Sequence, residues 1–247
     1  MFNKSIFIFG KYDEYSIKAR FFPAFICMLP FLIFICFEFK ITEDLQKSKY
    51  FLIPIYMIIV WFLSYISRDL GKKIENKYVI KNNYFPTTYM LSFKESTFDS
   101  YTLKRYHQIL NKKIPDLNLP LSLEEEEKDP NSLEKYTSAI NWLRNNANGD
   151  QVKYHLVYKE LIKYGFCRNL LGIKYYSILI YFLVLIREFF TINSFSITQL
   201  FKSPWPTYAN FILFFLSIVL ILFYNKNNLK SNTLAYGKAL IETCDKL

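Results

Sequence analysis

The residues best suited to chemistry in this 247-residue chain are cations that lie close to aromatic rings in the sequence. Lysine and arginine bind phosphate, and a planar ring can stack against a nucleotide base. In the alternative interpretation, Tyr106 and Trp142 belong to a core and the charges face water or lipid headgroups. The pattern predicts a site for an anionic ligand, formed by Lys104, Arg105, His107, Trp142, Arg144, Arg168 and Asn169.

Motifs of catalysis are missing from the sequence. Its six glycines and two histidines form no phosphate-binding loop, nucleophile elbow, zinc-protease motif or kinase motif. Its four cysteines form no CxxC pair, so neither a zinc site nor a disulfide framework is indicated. A dyad of Cys167 with His107 or His155 stays open as an alternative without a supporting motif. We therefore expect a protein that is not an enzyme and needs no cofactor.

A run of acidic residues, Glu124 to Glu127, is the sequence's candidate for a metal site. Consecutive side chains on a helix point in different directions, so four carboxylates in a row cannot converge on one ion. Acidic residues also favour a helix N-terminus. We interpret the run as a solvated helix start and expect no metal.

The elements that must position these groups are organised around an apolar stretch, Trp205 to Tyr224, which contains no charged residue. A helix of twenty residues is about 30 Å long, which matches the hydrocarbon core of a bilayer. Trp205, Tyr208 and Tyr224 lie near its ends, where such rings favour the headgroup level. The stretch is predicted to span a membrane.

Three further spans are predicted from the same criteria: Phe21 to Phe37, Phe51 to Ile66 with Pro54 in its first turn, and Tyr175 to Ile197. The last of these places two ionisable residues near mid-membrane, where such residues face a bundle interior or an aqueous cavity. Alternatively, that helix ends at Ile186 and leaves the two charges at the outer interface. Candidates for the interior of the bundle are Arg187, Glu188, Asn210 and Ser217.

Basic residues near the spans predict the orientation of the chain. They are concentrated after the second span, before the third span and after the fourth, which places both termini and the central domain in the cytoplasm. The predicted fold is an all-α membrane protein with four transmembrane helices and a helical cytoplasmic domain inserted between helices two and three. Its predicted segments are residues 1–66, the sensor domain 67–172, the helix pair 173–225 and the cytoplasmic tail 226–247. The net charge of +10 favours partners of negative charge, such as anionic lipid, nucleotide or nucleic acid.

Within the domain, helix signals follow one another. Asp99 or Ser100 can cap a helix that runs to Lys113, and Ser122 with Glu125 has the spacing of a capping box. Asp129-Pro130 offers another helix start, and Asn148-Gly149-Asp150 a break.

Several segments of this domain resemble a family of bacterial four-helix membrane proteins associated with anti-phage defence, the effectors of Hailong-type or related nucleotide-signal systems. They are RDLGKKIE from Arg68, PTTYML from Pro86, DSYTLKRYHQIL from Asp99, EEEEKDP from Glu124, YTSAINWLR from Tyr136 and YGFCRNLLGIK from Tyr164. The resemblance implies a homo-oligomeric channel in the bacterial inner membrane, and we expect the oligomer to be a tetramer. It further implies that a nucleotide or oligonucleotide from a partner nucleotidyltransferase gates the channel, which depolarises the membrane and arrests growth.

Other functions stay open on the sequence. A membrane scaffold that binds a cytosolic partner protein would need no pore. An enzyme that processes lipid or nucleic acid would need the dyad described above. A secondary transporter is less consistent with the sequence, because no internal repeat relates the two pairs of spans.

Overall fold

The described residues form helices joined by turns. The computed structural model describes residues 14–38, 46–191, 212, 215, 218–219 and 222–247. A π-helical segment, Ser16–Phe21, leads into the first α-helix, and a 3-10 helix, Glu242–Lys246, follows the last. The α-helices are α1 (Phe22–Glu38), α2 (Gln46–Tyr78), α3 (Pro86–Tyr89), α4 (Ser100–Lys113), α5 (Leu123–Lys128), α6 (Ser132–Gly149), α7 (His155–Thr191) and α8 (Lys226–Ile241). No strand occurs within these residues, so the all-α prediction is confirmed for them.

The predicted spans lie within helices wherever the structure describes them, except at Tyr224, the last residue of the fourth span. Among the described residues, one helix, Ile53–Tyr78, is long and apolar enough to cross a membrane. It is part of α2, which begins at Gln46, so Pro54 lies inside the helix and not in its first turn as predicted. Helix α7 runs through Arg187 and Glu188 to Thr191, so the alternative in which it ends at Ile186 is wrong. Most of the predicted span from Trp205 to Tyr224 lies outside the described residues.

The chain divides into two compact units, and the divisions fall inside α2 and α7 and directly before α8. Unit 1 comprises Met1–Lys73 and Gly165–Asn225. Unit 2 comprises Ile74–Tyr164 and Lys226–Leu247. The predicted domain limits at residues 67 and 172 therefore differ from the observed ones by several residues. The predicted tail, residues 226–247, belongs to unit 2.

Unit 1 is held together where α1, α2 and α7 pack. Its core consists of Ala24, Cys27, Met28, Tyr56, Val60, Leu170 and Ile173. Helices α2 and α7 approach so closely that a Cβ atom on Gly172 would lie 2.5 Å from the backbone nitrogen of Gly71. A glycine is therefore required there for steric reasons.

Unit 2 is a helical domain with a conventional apolar core. Leu103 and Leu110 of α4 are buried together with Leu143 of α6 and Leu240 of α8. Helix α8 is anchored because the Tyr236 ring stacks on Tyr164, with ring centroids 6.1 Å apart. The buried apolar face of α8 explains why the tail belongs to this unit, although its sequence carries no strong helical periodicity.

The caps of unit 2 largely match the sequence signals. Asp99 accepts a hydrogen bond from the Thr102 backbone nitrogen at 2.9 Å and caps α4. Ser122 caps α5, and the Glu125 side chain accepts from the backbone nitrogen of Leu121 rather than from that of the cap residue. Helix α6 begins at Ser132, three residues after the predicted start at Asp129.

Candidate functional site

The exposed cations of α4 are the first part of the predicted ligand site. Lys104 and Arg105 are both exposed. The Arg105 guanidinium lies 3.1 Å from Asp245 of the 3-10 helix, and the Tyr106 hydroxyl donates to the same carboxylate at 2.9 Å. Burial and the adjacent carboxylate raise the pKa of Tyr106 to about 12. Asp245 thus balances part of the positive charge at this end of unit 2.

The residues predicted on α6 are half-buried. Trp142 and Arg144 each keep part of their side chain at the surface, and the Arg144 Nε atom is buried without a hydrogen-bond partner in the described part of the chain. Within those same residues, neither a hydrogen bond nor a ring contact joins this pair to Lys104 or Arg105. Over these described residues, the structure therefore shows no direct contact between the predicted ligand residues of α4 and those of α6.

His107 occupies the core instead of the surface. Its Nδ1 atom lies 2.5 Å from the Pro120 carbonyl oxygen, and its Nε2 atom lies 2.9 Å from the Leu91 carbonyl oxygen. Carbonyl oxygens only accept, so a neutral ring can donate to one of them and an imidazolium to both. Burial lowers the pKa of His107, although the two carbonyl groups and Glu126 favour its charged form. With both nitrogens occupied, His107 ties α4 to two loops and offers no free atom to a ligand.

Glu126 is a buried carboxylate that the sequence did not single out from its run. It accepts hydrogen bonds from Ser92 Oγ at 2.5 Å and from the Phe93 backbone nitrogen at 2.8 Å. Burial raises the pKa of Tyr136 well above its usual range, and the nearby charge of Glu126 raises it further. The interpretation of the run as a solvated helix start holds for its three exposed members and is wrong for Glu126. The run forms no metal cluster within the described residues.

Arg168 and Asn169 belong to unit 1, whereas the other five predicted ligand residues belong to unit 2. Asn169 is fully buried, and its Nδ2 atom donates to the Ala19 carbonyl oxygen at 2.5 Å. The backbone carbonyl oxygen of Asn169 accepts a hydrogen bond from Ser67 Oγ at 2.8 Å. Arg168 is also buried and donates through Nε to the Asn169 side chain at 3.3 Å. The position of Asn169 indicates a role in joining helices.

The candidates for the bundle interior are described only in part. Arg187 and Glu188 lie in the last turns of α7. Asn210 and Ser217 lie outside the described residues. Their placement in a pore stays a prediction.

A shallow cleft of about 590 Å³ lies elsewhere in unit 2, between the loop before α5 and the start of α6. Its polar groups are largely bonded within the protein. Lys135 pairs with Asp129 at 2.7 Å, and Asn111 exchanges two hydrogen bonds with the backbone of Leu119. None of the predicted ligand residues lines it.

The geometry thus leaves four predicted ligand residues with exposed surface, two on α4 and two on α6. The other three are buried, with polar atoms bonded inside their own unit. Comparison with protein-family models, curated proteins and solved structures finds no match to this chain.

Proposed function

We propose that the chain is a multi-pass protein of the bacterial inner membrane, with unit 1 in the bilayer and unit 2 in the cytoplasm. In this proposal, copies of the chain assemble into an ion channel, and an anionic nucleotide or oligonucleotide bound to unit 2 gates it. Opening depolarises the membrane and arrests growth, as the resemblance to anti-phage defence effectors implies. The four spans are those predicted from the sequence.

The observation that carries the membrane placement is the exposed apolar surface of α2. Only 22% of its apolar stretch is buried, and Ile58 and Phe62 are 64% and 61% exposed. A core helix of a soluble protein with the same composition would be covered by its neighbours. Contiguous apolar surface of this extent is favourable against lipid and costly against water.

Helix α7 supports the same placement from a second segment of unit 1. Leu179, Phe182 and Leu183 are each more than half exposed, and they follow one another at helical spacing. Two exposed apolar helices in one unit favour a multi-pass arrangement over a single anchor.

The ligand part of the proposal is supported by the surface cations of unit 2. Lys104 and Arg105 on α4, and Arg144 beside Trp142 on α6, can attract a phosphate, and the Trp142 ring offers a stacking surface. Because unit divisions fall within α2 and α7, these helices contribute residues to both units. A ligand can gate the pore through them only if it binds the open and closed states with different affinity.

Mass spectrometry of small molecules released from the detergent-purified protein, together with its native mass, tests the proposal. We expect an oligomer that carries a nucleotide species, and ion flux into liposomes that this nucleotide changes. Arg187→Ala and Glu188→Ala are expected to alter that flux. A monomer that carries only lipid and conducts no ions would contradict the channel.

A scaffold that binds a cytosolic partner protein is the second candidate. It is favoured by two apolar side chains exposed on unit 2, Tyr101 at 86% and Val152 at 91%. In that case the chain would insert into membranes and copurify with its partner. The Val152→Asp variant would release that partner, and ion flux into liposomes would stay at background.

A further inference from the structure

Two lysines in unit 2 contact the same aromatic ring. The ammonium of Lys77, at the end of α2, lies 5.3 Å from the centroid of the Tyr78 ring. The ammonium of Lys226, the first residue of α8, lies 4.9 Å from the same centroid. The chain between these positions is nearly 150 residues long, so only the tertiary fold brings the two charges together.

Both lysines are exposed, and neither has a carboxylate partner among the described residues. Lys230 lies one turn further along α8, is also exposed and lacks such a partner in the same part of the chain. The electron-rich face of Tyr78 offsets the repulsion between the two ammonium groups only in part. The start of α8 adds the positive end of a helix dipole. The local charge is therefore uncompensated and suits an anion.

The positions of these residues in the chain indicate which anion. Tyr78 is the last residue of the helix that is long and apolar enough to cross a membrane. Lys226 follows the uncharged stretch from Trp205 to Tyr224 by two residues. A lysine directly after an apolar segment lies at the depth of the phospholipid headgroups, and the contact of Lys226 with the Tyr78 ring brings Tyr78 and Lys77 near that depth.

We propose that Lys77, Lys226 and the Tyr78 ring form a binding site for the phosphate of an anionic phospholipid headgroup, with Lys230 adding to its charge. This inference rests on the proposed membrane placement of unit 1. The two ammonium groups contact the phosphate, and the Tyr78 ring holds their side-chain stems in place. The site is separate from the predicted nucleotide site on α4 and α6.

Native mass spectrometry of the full-length protein, titrated with phosphatidylglycerol and with phosphatidylcholine, tests the site. Each lysine near an anionic surface contributes about a fivefold factor, so K77Q/K226Q is expected to weaken phosphatidylglycerol binding at least tenfold. Phosphatidylcholine binding is expected to stay unchanged.

The matched control is K112Q/K153Q, which removes the same charge from exposed positions of unit 2. Lys153 also packs on a neighbouring ring, at 5.0 Å from the centroid of Tyr154. We expect the control variant to bind phosphatidylglycerol as the wild type does. Circular dichroism would verify that both variants fold.

Equal phosphatidylglycerol binding by K77Q/K226Q and the wild type would overturn the site. Competition by inorganic phosphate at concentrations comparable to the lipid would show that the occupant is a soluble anion, and this would overturn the lipid assignment. Release of the wild-type chain from membranes by alkaline carbonate would refute the membrane placement itself. That outcome is separate from a failure of the lysine site.

Discussion

At the scale of single residues, Glu126 is a buried polar side chain that joins two segments of unit 2. It lies within a run of four glutamates, yet it alone of the four is buried. Its two hydrogen bonds join α5 to the segment at Ser92 and Phe93, directly beside His107. A buried carboxylate with charge-assisted bonds is costly to remove, because its donors lose their acceptor.

Glu126→Ala is expected to lower the free energy of unfolding by about 2–3 kcal/mol, because one buried and one half-buried donor would be left unsatisfied. Glu124→Ala, in the exposed part of the same run, is the control and is expected to change it by less than about 0.5 kcal/mol. Denaturant unfolding of the full-length protein in detergent measures both. Equal effects of the two variants would show that the run is solvated throughout.

The pH dependence of stability is expected to follow His107. Its pKa in the folded state lies below the value of about 6.5 for an unfolded chain, so the unfolded state takes up the proton first as the pH falls. Stability is therefore complete above about pH 6.5 and declines from there towards the lower pKa of the folded state. Thermal unfolding from about pH 7.5 down to about pH 5 measures this decline.

The matched variants for this prediction are His107→Gln and His155→Gln. The first removes the buried group that titrates, and the second removes an exposed histidine that begins α7. We expect the decline to flatten in His107→Gln and to persist in His155→Gln. A decline of unchanged slope in His107→Gln would assign it to another group.

At the scale of elements, α2 and α7 make a close backbone contact that constrains unit 1. Gly71 and Gly172 let the two backbones approach, and Ser67 donates across the contact to the carbonyl oxygen of Asn169. Asn169 then donates to Ala19, so the helical segment before α1 joins the same contact. Small residues and interhelical hydrogen bonds are the usual means of joining helices in a bilayer, where the hydrophobic effect does not drive helices together.

Gly172→Ala is expected to force α2 and α7 apart, because the added Cβ would lie 2.5–2.6 Å from backbone atoms of Gly71 and Ser67. Backbone atoms cannot move away as a flexible side chain can, so we expect a loss of about 2 kcal/mol or more in stability. Gly149→Ala is the control, since nothing lies within 4 Å of its added Cβ. The temperature at which the detergent-solubilised protein aggregates compares the two, and a stable Gly172→Ala would contradict this contact.

At the scale of the whole molecule, the two units differ in the kind of surface that they expose. Unit 1 exposes leucine, isoleucine and phenylalanine along α2 and α7, whereas the surface of unit 2 carries mainly charged and polar side chains. An apolar surface is stable against lipid, and a charged and polar surface is stable against water. This contrast is the basis for proposing that unit 1 faces lipid and unit 2 faces water.

Ile58→Lys is expected to impair membrane integration, since a lysine near the centre of a transmembrane helix costs about 2.5–3.5 kcal/mol on the insertion scale. Tyr101→Lys adds the same charge at an exposed position of unit 2 and is expected to leave integration unchanged. The fraction of chain that resists alkaline carbonate extraction measures both variants. Full integration of Ile58→Lys would place that side of α2 away from lipid.

Local patterns were sufficient to predict several of the helices and some of their ends, but not α3 or α8. The Asp99 cap, the helix to Lys113, the capping spacing at Ser122 and the break at Gly149 all depend on interactions within four residues along the chain. The apolar stretches that became α1 and part of α2 were evident for the same reason.

The tertiary structure decided which polar residues are buried, because burial depends on segments that are far apart in the sequence. It placed His107 between two carbonyl groups, buried one glutamate of four, used Asn169 to join helices and brought Lys226 to the ring of Tyr78. It also assigned α8 to unit 2 through the contact of Tyr236 with Tyr164. Residue type alone does not distinguish a polar side chain that binds a ligand from one that holds the fold together, because both use the same hydrogen-bonding atoms. They differ in their partners, and long-range packing decides which partners are present.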